Sequence, residues 1–81
     1  MKRNLKVDDD SVTIRVSKDF YSEDSIDEAI EIFQENFDVV KNRKKGVNEI
    51  KITSEFDVDF EKVGLEFFNF LLTNEKNSIK H

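Results

Sequence analysis

The 81-residue sequence predicts a small α+β two-layer sandwich, with elements in the order β-α-β-β-α. Its sheet is expected to have three, or with an extra N-terminal strand four, mainly antiparallel strands, with both helices on one face. Three observations carry this. Val12, Ile14 and Val16 alternate with polar neighbours, the period of a half-buried strand. Ile26, Ala29, Ile30, Phe33 and Phe37 recur at helical spacing along a narrow stripe. The stretch from Phe60 to Glu75, FEKVGLEFFNFLLTNE, is apolar over more than half of a helical wheel.

The first ten residues begin basic and end in Asp8-Asp9-Asp10, with Leu5 and Val7 between. Adjacent carboxylates suggest calcium, but the alternate spacing and the glycine of a calcium loop are missing, so the run reads as a solvated turn. Leu5–Val7 is placed to hairpin back onto the strand at Val12–Val16. Residues 1–10 and 76–81 are otherwise expected to be weakly ordered ends of a single domain spanning 1–81.

After that strand, Ser22 offers a helix N-cap, while Ser25 with Glu28 spells a capping box one turn later. Both starts remain open from sequence. The helix carries Glu23, Asp24, Asp27, Glu28, Glu31 and Glu35 on its outer face, which reads either as a solvated surface or as a docking face for a basic partner. Phe37, Val39 and Val40 begin a second strand, Asn42-Arg43-Lys44-Lys45-Gly46 breaks it, and Val47–Thr53 resumes as a third. A right-handed crossover places the first strand beside the third, in the order 1-3-2. The basic hairpin tip has no stacking aromatics and reads as solvated loop rather than an anion site.

Asp59 caps the last helix in this reading. On its wheel Phe60, Val63, Gly64, Phe67 and Leu71 form the centre of the apolar arc, with Leu65, Phe68 and Leu72 on one side and Phe70 on the other. A helix lying on a sheet needs an apolar stripe of roughly 100°, so this one has more than its own sheet requires. Phe33, Phe67 and Leu71 are expected at the centre of the core. Leu65, Phe68 and Leu72, with Asn69 at their polar border, are the candidate partner-binding residues.

Composition narrows the function classes. With no cysteine, the sequence has no means of forming a disulfide, a zinc–thiolate site or a self-ligated iron–sulfur cluster. No run approaches a signal-peptide core or a membrane span, so a cytoplasmic location without membrane attachment is expected. The net charge of −5 argues against direct nucleic-acid binding. The only histidine is His81, the serines have no base within a motif, and no glycine-rich phosphate loop exists. A non-catalytic protein without a cofactor or a metal site is the expectation.

Tyr21-Ser22 opening a helix, Phe33 and Phe37 closing it, and Leu65-Glu66-Phe67-Phe68-Asn69-Phe70-Leu71-Leu72 in the last helix resemble the His-Xaa-Ser system protein HxsD family, over Val12 to Glu75. The most specific feature is an asparagine after two large apolar residues, here Phe67-Phe68-Asn69. The family's Leu-Arg-Glu ending is replaced by Thr73-Asn74-Glu75, which removes the arginine and whatever contact it makes. The resemblance implies an accessory protein that binds a radical SAM peptide-modifying enzyme or its precursor peptide, with the cluster chemistry in the partner. It implies no catalytic residue. For Asn69, a hydrogen bond to a partner and a solvated or intramolecular amide both remain open.

Two other classes stay open, the second because it shares this order of elements. One is a self-associating structural homodimer joined through the wide helix. The other is a small KH-like or Pcc1-like scaffold subunit of an RNA-modification assembly, a reading that rests on fold likeness alone.

Overall fold

The computed structural model describes residues 5–17 and 19–79, with side chains as far as residue 74. The elements are β1 (Leu5–Val7), β2 (Ser11–Ser17), α1 (Glu23–Phe33), β3 (Asp38–Lys44), β4 (Val47–Thr53) and α2 (Phe60–Ile79). The strands form one sheet in the order β1-β2-β4-β3, and every neighbouring pair is antiparallel. The expected 1-3-2 order of the three longer strands is present as β2-β4-β3. The extra N-terminal strand is present too, paired through Leu5↔Ile14 and Val7↔Val12. It takes β2 off the edge of the sheet and becomes the edge itself.

Alternation decides which side chains enter the core. Val12, Ile14 and Val16 of β2 and Ile50 and Ile52 of β4 turn to one face and are buried there. Ile26, Ala29 and Ile30 of α1 and Phe60, Val63, Phe67 and Leu71 of α2 close over them. Phe67 and Leu71 are fully buried, and covering a side chain of this size stabilises the fold by about 1.5–3 kcal/mol. Phe33 is half-buried rather than central. It is the last residue of α1, so no further helical turn covers its outer side. Its ring meets Phe67 edge-on at 5.1 Å and Phe70 at 6.4 Å, and Phe37 stacks on it at 6.3 Å.

Helix starts follow local hydrogen bonding. Ser22 is the N-cap of α1, its hydroxyl accepting from the Ser25 amide at 3.2 Å. Ser25 lies inside the helix and is buried. At α2 the Asp59 carboxylate accepts from the Lys62 amide at 3.3 Å, as expected of a cap.

The β3–β4 connection is shorter than the sequence suggests. Asn42, Arg43 and Lys44 belong to β3, and only Lys45 and Gly46 turn the chain. Gly46 supplies the positive φ of 65° that the tight turn requires. Lys41 and Arg43 extend the strand because both reach an acid on α1, a tertiary gain that local propensity does not register.

The expectation of weakly ordered ends falls partly on residues 1–4, 80 and 81, which lie outside the described residues. Within the same stretches Leu5–Val7 is paired strand and the α2 backbone continues to Ile79.

Candidate functional site

The four residues expected to bind a partner lie on one side of α2. Gly64 faces β1: a Cβ at this position would overlap Leu5 Cδ1 and stand 3.0 Å from Val12 Cγ2. Its lack of a side chain lets helix and strand approach this closely. At 100° per residue, Phe68, Leu72 and Leu65 follow at roughly 40°, 80° and 100° around the helix from Gly64. Phe67, Phe70 and Asn74 lie on the opposite side, where Phe33 and Glu28 of α1 meet them. The excess width of the apolar arc is therefore divided. Phe70 is covered in part by α1, whereas the Leu65–Phe68–Leu72 flank borders β1 with no element beyond it among the described residues.

Burial grades along that flank. Leu65 and Phe68 are half-buried, Phe68 against the core, while Leu72 is 49% exposed. Asn69 is exposed and makes no side-chain hydrogen bond among the described residues. Val7 of β1, 44% exposed and on the helix side of the sheet, continues the apolar strip across the edge.

The two sheet edges differ. On β3, Lys41 and Arg43 pair with Ile50 and Asn48 of β4 and so point to the helix side. Glu23 accepts from Lys41 Nζ at 3.2 Å, Arg43 at 3.1 Å and Asn48 Nδ2 at 2.9 Å, and Asp27 takes Lys41 at 2.7 Å. Inward-pointing charges of this kind blunt an edge against pairing. The Asn48 hydrogen bond first, then Lys41 and Arg43, pull the Glu23 carboxyl from its ordinary 4.5 to about 2. Asp27 holds the Lys41 ammonium above its ordinary range. Among the described residues the β1 edge, Leu5–Val7, has no such device and is only short.

The sheet face away from the helices is polar and mainly basic. Lys6, Arg15 and Lys51 project from it among Thr13 and Glu49, around a shallow depression bordered by Leu5 and Asp8, and Lys44 stands further along the same face. Lys44 and Arg15 lie 3.3 and 3.2 Å from Glu49, and together they lower its carboxyl below the ordinary range. Among the described strand residues no aromatic side chain stands on this face.

Sequence reasoning located the α2 flank and missed the Glu23 cluster. Its signal is parity: Val39, Lys41 and Arg43 alternate on one face of β3, opposite the acidic start of α1. The acids read as a uniform outer face are thus divided, Glu23 and Asp27 binding the sheet and Glu28 accepting from Asn74 at 2.8 Å. Among the described residues no group of three acids or histidines could hold a metal ion, and no helix is long and apolar enough to cross a membrane. Comparison with known proteins finds no matching family model, no matching curated protein and no matching solved structure.

Proposed function

We propose that this chain is a non-catalytic binding protein that docks a protein partner on the outer flank of α2. The observation that carries the reading is the Leu65–Phe68–Leu72 strip, half-buried at Leu65 and Phe68 and 49% exposed at Leu72, beside the edge strand β1, on a helix whose other side is already packed by α1. Exposing apolar surface on a domain this small is costly, and a strip rimmed by polar groups suits a partner that removes it from water. Asn69, exposed at the border, adds a donor and an acceptor that a partner backbone can satisfy.

The resemblance to the HxsD family supplies the kind of partner: a radical SAM peptide-modifying enzyme, or its precursor peptide. The reading fits a chain without cysteine, because the iron–sulfur cluster and the reaction then belong to the enzyme. The test is a titration of the purified protein against a radical SAM enzyme of the His-Xaa-Ser type and against a peptide of His-Xaa-Ser repeats. Saturable binding to one of them, with the peptide left chemically unchanged by this chain alone, is the expected result. Absence of binding to both contradicts the proposal.

A further inference from the structure

We infer that the open face of the sheet docks an acidic polypeptide segment of a partner, on the side of the sheet away from both helices. Each of the four strands sets one basic side chain on this face: Lys6 of β1, Arg15 of β2, Lys51 of β4 and Lys44 of β3. The strand acids that share it are Glu49 and Asp38. The face is therefore positive, although the whole chain has 18 acidic and 13 basic residues. Lys41 and Arg43 take no part, because they point to the helix side and are held by Glu23 and Asp27.

Placement within the face decides where an anion would sit. Glu49 lies 3.2 Å from Arg15 and 3.3 Å from Lys44 and engages both. Lys6 and Lys51 flank Thr13 in one cross-strand row, through the pairs Lys6↔Thr13 and Thr13↔Lys51. Both lysines are exposed, and neither forms an ion pair among the described residues. With neighbouring strands about 4.8 Å apart, their Cα atoms are roughly 10 Å from each other. A carboxylate seated over Thr13 in the shallow depression can accept from both ammonium groups and from the hydroxyl.

The chemistry of the partner follows from the surroundings of that row. Basic groups spread over four strands match a chain bearing several carboxylates rather than one small anion. Glu49 within the face and Asp8 at the rim of the depression would repel a continuous run of phosphates, which disfavours nucleic acid. Val40, 55% exposed and opposite Lys51, offers an apolar contact that a peptide side chain can cover. This surface and the α2 flank lie on opposite sides of the sheet, so the inference stands apart from the docking reading above.

The probe is a labelled poly-glutamate peptide titrated into the full chain, with a single-stranded oligouridylate as the competing polyanion. Saturable binding of poly-glutamate at low ionic strength is expected, weakening several-fold at physiological salt because exposed charges are screened. Lys6→Glu and Lys51→Glu should each raise Kd by about tenfold or more. Lys51→Gln, which removes the charge without reversing it, should raise it less. All three positions of change are exposed, and unaltered melting transitions confirm that the variants remain folded. Leu72→Ser, on the α2 flank, should leave Kd where it was. No saturable binding at low salt overturns the inference, as does a Kd unmoved by Lys6→Glu and Lys51→Glu in folded protein. Oligouridylate binding as tightly as poly-glutamate overturns the choice of partner. Loss of poly-glutamate binding in Leu72→Ser would move the acidic segment to the α2 flank and overturn the open face as its site.

Discussion

Glu23 accepts a hydrogen bond from Asn48 at 2.9 Å, which fastens the first turn of α1 to the fully buried polar position of β4. The same carboxylate holds Lys41 and Arg43 of β3. One acid thus sets how α1 lies across two strands, where a purely apolar contact would leave the helix freer to slide. It also leaves the Asn48 Oδ1 atom buried without a hydrogen-bond partner among the described residues, so the amide's acceptor side is a cost that the Nδ2 bond offsets.

The first prediction follows from the depressed Glu23 carboxyl. Its contribution is fully present above the ordinary carboxylate value of 4.5 and disappears as pH falls toward about 2, because the unfolded chain takes up the proton first. Glu49, also lowered, adds in the same direction. The melting temperature should therefore fall across that window. Glu23→Gln should melt lower than wild type at neutral pH and lose less on acidification. Parallel acid limbs for the two proteins would remove Glu23 from this role.

A second prediction concerns Phe67, fully buried and edge-on to Phe33 at 5.1 Å. Phe67→Ala should cost about 3–5 kcal/mol, enough to unfold much of a small domain. Phe33→Ala, at a half-covered position, should cost less. Denaturant titration of both variants checks the order, and an undiminished Phe67→Ala midpoint contradicts the core assignment.

A third prediction tests the contact between α2 and β1. Alanine at Gly64 gains about 1 kcal/mol of helix propensity, but its Cβ overlaps Leu5 and crowds Val12, and such overpacking costs about 1–3 kcal/mol. Gly64→Ala should destabilise the wild type slightly and become neutral or stabilising when combined with Leu5→Ala. A double-mutant cycle measures the coupling. Strict additivity would mean that β1 does not lie against the helix at this point.

How far the sequence carried the fold depended on which signal each residue obeyed. Val12–Val16 and Phe60–Leu71 follow a single period, and both became the expected elements. The sheet order followed from a connection rule together with the apolar faces. Leu5–Val7 is too short for periodicity to assign, and its strand depends on pairing with Val12–Ile14. At Asn42–Lys44, charged residues signalled a loop, whereas their partners on α1 make them strand. Ser22 and Ser25 are equivalent caps on paper, and the hydrogen bond that the Ser22 hydroxyl accepts from the Ser25 amide separates them. The candidate surface was legible because an arc wider than one sheet needs is visible on a wheel. Which half of that arc α1 covers was not, since helix-to-helix placement is set by distant contacts such as Phe33 with Phe67 and Phe70.

The docking surface is tested most directly by affinity for the radical SAM enzyme or the precursor peptide, whichever binds, measured with wild type, Leu72→Lys and His81→Ala. Leu72 is 49% exposed, so its replacement should leave the fold intact. Leu72→Lys should raise Kd by about tenfold or more, as expected for a charge placed in an apolar contact. His81→Ala should leave Kd where it was. A folded Leu72→Lys variant that binds as tightly as wild type would contradict the assignment of the α2 flank as the docking surface.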